Sequence, residues 1–142
     1  MSVILYSDAS FDHKKKKAGI ACIVVSDSNQ VISISTSQCD ANDVVDAELK
    51  GILQCLTLAN QTPLDQHVTL MSDCQIAVGL INHPVKVPAK YQVLVNKFIA
   101  QQGDICVEWG SREGNSQADA LAVLASRRSN LTCDSMRFKF CI

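Results

Sequence analysis

No apolar run in the 142-residue sequence approaches the roughly 18 residues that a membrane-spanning helix needs. The opening Met1-Ser2-Val3-Ile4 carries no basic stretch and no cleavage site, so no signal peptide is expected. Repeats and low-complexity linkers are absent, which points to one domain. No charge of one sign dominates either: 13 Lys and Arg stand against 14 Asp and Glu, for a formal net charge of −1. Bulk charge therefore gives no sign of a nucleic-acid partner, although a local basic patch can bind one. Seven cysteines (Cys22, Cys39, Cys55, Cys74, Cys106, Cys133 and Cys141) include no C-x-x-C pair, and the number is odd. That argues against a zinc site and against a disulfide framework. Buried free thiols in a reducing, intracellular and cytoplasmic setting are expected instead.

What is present suits a folded enzyme-sized domain. Hydrophobic residues make up 47% of the chain and charged ones 19%, which excludes disorder. Val3–Asp8 reads as a strand, Ala18–Ser26 as a second and Gln30–Ser37 as a third, joined by short polar turns into an antiparallel meander. The period then changes. Val45, Leu49, Ile52, Leu53, Leu56 and Ala59 share one face of a helix over Asp43–Asn60. A strand over Val68–Asp73 follows, then helices over Gln75–Asn82 and Ala89–Gln102, a strand over Asp104–Trp109 and a helix from Ser116 to about Arg127. The order βββ-α-β-α-α-β-α predicts an α/β fold. Its sheet is mixed and five-stranded, with three antiparallel strands, then parallel ones, and helices on both faces.

Four acids stand where acids are costly. Asp8 and Asp73 each end an apolar strand in near-identical settings, Tyr6-Ser7-Asp8-Ala9 and Met71-Ser72-Asp73-Cys74. If those strands are parallel neighbours, both carboxylates emerge at one sheet edge, where ligands of α/β sheets bind. Glu48 falls about 20° outside the apolar stripe of its helix on a wheel of 100° per residue. Asp119 is the polar residue in Ala118-Asp119-Ala120-Leu121-Ala122-Val123-Leu124-Ala125. Each alone has a plainer explanation as a turn, a cap or a border residue. Together they make four carboxylates that would repel one another unless divalent cations neutralise them. Oxygen-only ligands select Mg²⁺ or Mn²⁺. Two such ions, roughly 3.5–4 Å apart, can clamp the attacking and leaving oxygens of a phosphoryl displacement.

At this point the chain resembles type 1 ribonuclease H, and within it the archaeal, retroelement and plant-like branch. The matching pieces are Tyr6-Ser7-Asp8-Ala9-Ser10, Ala18-Gly19-Ile20-Ala21, Asp46-Ala47-Glu48-Leu49-Lys50, Ser72-Asp73-Cys74-Gln75 and Arg112 through Ala122. The last, with Asn115 four residues before Asp119, is the most specific. The resemblance implies a metal-dependent endonuclease that cuts the RNA strand of RNA–DNA hybrids with two ions, leaving 5′-phosphate and 3′-hydroxyl ends. It also implies that Asp8, Glu48, Asp73 and Asp119 hold the metals. The loop Gly110–Gly114 lacks the histidine that many members carry, and Arg112 stands near its position as a candidate for contact with the scissile phosphate. Ser10, Asn42, Gln75 and Asn115 are the candidate substrate contacts, with Lys14, Lys15 and Lys16 as phosphate contacts. The catalytic domain is expected to span residues 1–127 and to act as a monomer. Residues 128–142 form a basic tail with a candidate extra strand at Met136–Phe140. Trp109 reads as core. Two alternatives remain open from the residues: another nuclease on the same fold, and a non-catalytic nucleic-acid-binding module.

Overall fold

The structure is a computed structural model that describes residues 2–28, 30–61 and 67–110, and the backbone of 137–139. Its strands are β1 (Ser2–Asp12), β2 (Lys17–Ser26), β3 (Val31–Asp40), β4 (His67–Ser72), β5 (Cys106–Trp109) and β6 (Arg137–Lys139). Its helices are α1 (Val44–Gln61), α2 (Gln75–Asn82) and α3 (Gln92–Gln101). The sheet runs β5-β4-β1-β2-β3-β6. β2 is antiparallel to β1 and β3, while β4 is parallel to β1 and β5. The mixed five-stranded sheet is thus as expected, and β6 extends it by pairing with Ser33–Ser35 of β3.

Burial explains these elements. β2 is central and buried on both sides, so its sequence is a continuous apolar run. Cys22 and Val24 face a core built from Val3 and Leu5 of β1, Leu49, Ile52 and Leu56 of α1, Leu70 of β4, and Val95 and Phe98 of α3. Ala21, Ile23 and Val25, at the alternate positions, form a second cluster with Tyr6, Val31 and Ile34 on the opposite face. The described helices all contribute to the first cluster. The helix expected from Ser116 to Arg127, and with it Asp119, Arg112 and Asn115, lies outside the described residues. Among the described residues no helix is long and apolar enough to cross a membrane.

Two expectations need correction. β1 does not stop at Asp8: it continues to Asp12 because Ala9, Ser10, Phe11 and Asp12 pair with Ile20, Gly19, Ala18 and Lys17. Cross-strand pairing overrides the weak strand propensity of Asp and Ser. Nor are the buried cysteines all free thiols. Cys22 and Cys55 form a disulfide between β2 and α1, with Cα atoms 5.8 Å apart. Both occupy core-facing positions 33 residues apart, so periodicity identified them as apolar without showing that they meet. Cys74 is half-buried and free, Cys106 is exposed and free, and Cys39 is half-buried.

Candidate metal centre

The parallel register of β1 and β4 sets Ser7 against Ser72. The next residue in each case is an aspartate, so Asp8, still within β1, and Asp73, just past the end of β4, lie side by side, about 4.8 Å apart by strand spacing. Asp8 is 2% exposed and paired in register with Ala21 of β2. Asp73 follows the last residue of β4 and is half-buried. The Ser72 hydroxyl accepts the Cys74 N–H at 3.1 Å, bending the chain just after Asp73 and leading it into α2.

Glu48 comes from α1, whose start is fixed by several polar contacts. Asp43 caps the helix, with Oδ1 accepting the Asp46 N–H at 2.8 Å. Asp46 in turn accepts the Asn42 N–H at 2.8 Å and the Lys50 ammonium at 3.2 Å. The Tyr91 hydroxyl, just before α3, donates to the Asp43 carboxylate at 2.9 Å, and the Lys90 ammonium lies 3.3 Å from it. Burial opposes the charge on Asp43, but the Asp46 amide, the Tyr91 hydroxyl and Lys90 together hold its carboxyl below the usual carboxylate range. The helix that carries Glu48 is therefore anchored both to the end of β3 and to the start of α3.

Gly51, one turn after Glu48, lets α1 come close to β1. A Cβ at position 51 would lie 3.1 Å from Ser7 Oγ and 3.7 Å from the Asp8 carbonyl. Gly51→Val is expected to push α1 off β1, to cost about 1–3 kcal/mol of stability and to weaken divalent-cation binding. Thermal denaturation and a calorimetric Mn²⁺ titration check both, and a variant with unaltered metal affinity would contradict the role of this close approach.

The outcome is a convergence of Asp8, Glu48 and Asp73, whose ligand oxygens all lie within 4.8 Å of one another. Glu48 is 6% exposed, so the border position read from the wheel is a buried one. Three close carboxylates supply oxygen ligands only, the donor set of a hard divalent cation. Burial and the neighbouring Glu48 and Asp73 carboxylates raise the Cys74 thiol above its ordinary range, against the pull of the Ala77 and Ile76 amides. Cys74 thus stays a neutral thiol near pH 7 and adds no charge to the site.

The other described candidates lie on β1, in the β1–β2 turn, just before α1 and at the start of α2. Ser10 lies two residues past Asp8 in β1 and is half-buried, and Gln75 opens α2 and is exposed. Lys14, Lys15 and Lys16 are exposed at the β1–β2 turn, where Asp12 Oδ1 accepts the Lys14 and Lys15 N–H groups at 2.9 and 3.2 Å. The Lys16 ammonium reaches the Asn42 carbonyl at 3.4 Å, joining the lysine turn to the start of α1. Trp109 is not core: it is 52% exposed, and its indole N–H donates to the Asp73 carbonyl at 3.2 Å. Sequence reading missed this contact and the role of Gly51. A glycine one turn from Glu48 on the sheet-facing side was the available signal for the latter.

A family model described as reverse transcriptase-like matches residues 6–125. The chain belongs to this family. No curated protein sequence matches it significantly. Solved structures share its RNase H-like fold at low identity. LC11-RNase H1, isolated from compost by a metagenomic approach, is 18% identical with a TM-score of 0.79, over 88% of this chain and 95% of that one. The same protein is also known in complex with an RNA/DNA hybrid, with a TM-score of 0.73 at 18% identity, over 87% of this chain and 96% of that one. RNase H1 from the archaeon Halobacterium salinarum is 18% identical with a TM-score of 0.74, over 88% and 97%. The N-terminal RNase H domain of a Mycobacterium tuberculosis protein, fused to maltose binding protein, is 24% identical with a TM-score of 0.72, over 88% and 93%. The reverse transcriptase-like chain thus has the fold expected from its sequence, together with a candidate acidic metal site at Asp8, Glu48 and Asp73.

Proposed function

We propose that this protein is a divalent-metal-dependent endonuclease that hydrolyses the RNA strand of RNA–DNA hybrids, with residues 1–127 as its catalytic domain. The meeting of Asp8, Glu48 and Asp73 within 4.8 Å, where the parallel pairing of β1 and β4 stops, carries the reading. Family membership and the hybrid-bound relative support the choice of substrate.

Bound Mg²⁺ or Mn²⁺ would neutralise the carboxylates and stabilise the charge that develops on the oxygens of the phosphodiester. Asp8 pairs with Ala21 of β2 and directly follows Ser7, the last β1 residue paired with β4, and it is assigned to both ions. Glu48 and Asp73 flank it and are assigned to the ion on the leaving 3′-oxygen side. Asp119 is assigned to the ion on the water side, and Arg112 to the scissile phosphate. Lys14, Lys15 and Lys16, with Asn42 at the same rim, are assigned to substrate phosphates and would position the duplex without reading its sequence. Ser10, Gln75 and Asn115 are assigned to the strand lying across the centre. The products would carry 5′-phosphate and 3′-hydroxyl ends.

Incubation of the purified protein with matched RNA–DNA, RNA–RNA and DNA–DNA duplexes, with Mg²⁺ or Mn²⁺, tests the reading. Cutting of the hybrid is expected. Cutting of DNA–DNA alone would favour another nuclease on this fold, and tight binding without any cutting would favour a binding module.

A further inference from the structure

Trp109 is the one tryptophan of the 142-residue chain. It closes β5 in register with Ser72, the residue before Asp73. Gln75, the first residue of α2, follows Asp73 by two, so the α2 start and Trp109 share the end of the sheet that carries the carboxylates, while Asn82 Nδ2 at the other end of α2 donates to the Val107 carbonyl at 2.9 Å. The polar edge of the indole already has a partner in the Asp73 carbonyl at 3.2 Å, yet the residue remains 52% exposed. What stays open is uncharged ring surface directly beside a candidate metal ligand. A tryptophan is among the largest apolar groups a chain can bury, and one held open with its N–H satisfied presents a rigid contact face. Ile76, three residues beyond Asp73 in the first turn of α2, is 64% exposed and adds apolar surface at the same end.

We infer that Trp109 is a substrate-contact residue, with its open ring packed against the sugar edge of the nucleic-acid strand at the carboxylates while its N–H holds the backbone of Asp73. The inference rests on the nuclease reading. A strand with a phosphate at the carboxylates must run the adjoining sugars past their immediate neighbours, and Trp109 is hydrogen-bonded to one of the three. An uncharged ring cannot grip a phosphate, but it can pack on a sugar. The wide, shallow minor groove of an A-form-like duplex exposes its sugars without unpairing a base. The lysine turn would supply the charge-dependent grip, and Trp109 a contact insensitive to salt.

Because the chain has one tryptophan, its intrinsic tryptophan emission reports on this contact alone. A dye-labelled RNA–DNA hybrid is titrated with the protein, with Ca²⁺ in place of Mg²⁺, and dye anisotropy and tryptophan emission are followed together. Emission should change and saturate at the same hybrid concentration as anisotropy. Trp109→Ala should weaken binding about tenfold, by an amount that persists at raised salt, whereas Trp109→Phe, which keeps a ring, should stay within about threefold of the wild type. Binding seen by anisotropy with unmoved emission, and with Trp109→Ala binding as tightly as the wild type, would overturn the contact and leave the nuclease reading standing. Absence of hybrid binding by the wild type would overturn both.

Discussion

Asp8→Asn is expected to lower hybrid cleavage about a thousandfold, the equivalent of about 4 kcal/mol of lost transition-state stabilisation. The substitution keeps the shape of the side chain and removes one of the three converging charges. A centre that depends on metal ions loses its ligand field with that charge. The same loss has the opposite sign for the metal-free protein. Three carboxylates with oxygens within 4.8 Å repel one another when no cation lies between them. Metal-free Asp8→Asn should therefore melt no lower than the metal-free wild type, while the rise in Tm on adding Mn²⁺ shrinks. Melting curves with EDTA and with Mn²⁺, beside a cleavage time course, check the pair of effects. Cleavage at the wild-type rate, or an undiminished Mn²⁺ shift, would remove Asp8 from the metal site.

Phe98→Ala has the largest expected effect on stability. Phe98 is 1% exposed and is among the bulkiest buried side chains; it joins α3 to the cluster of Leu5, Ile52, Leu56 and Leu70. Truncation removes the ring and leaves a cavity that close-packed neighbours fill only in part, at a cost of about 3–5 kcal/mol. For a domain of this size that is a fall in Tm of about 10–20 °C. Phe98 is not one of the converging residues, so cleavage measured well below the new Tm should stay within a few-fold of the wild type. A fall in Tm of under about 5 °C would contradict the place given to Phe98 in the core.

The contrast between these two substitutions follows what the sequence could and could not show. The core was legible because burial imposes pattern: the apolar run of Val3 to Tyr6 and the helical spacing of Leu49, Ile52 and Leu56 mark the elements that meet. The Asp8–Asp73 pair was legible because both acids follow the same apolar-Ser pattern, and the parallel Ser7–Ser72 register turned that similarity into adjacency. Glu48 was legible as a border residue, and the close approach allowed by Gly51 made it a buried one. Contacts between distant positions were not legible. The Cys22–Cys55 disulfide, the reach of Tyr91 to Asp43 and the exposure of Trp109 depend on how elements pack, which a one-dimensional pattern does not encode. The extension of β1 beyond Asp8 was hidden for a similar reason, since its pairing partners on β2 decide it.

The central claim is that the Asp8, Glu48 and Asp73 centre cuts RNA paired to DNA. Its most direct test is one hybrid carrying a different label on each strand, incubated with the protein in Mg²⁺ and, separately, in EDTA. The account predicts shortened RNA with 3′-hydroxyl ends and intact DNA in Mg²⁺, with both strands intact in EDTA. Cleavage that persists in EDTA, or that falls on the DNA strand, would contradict it.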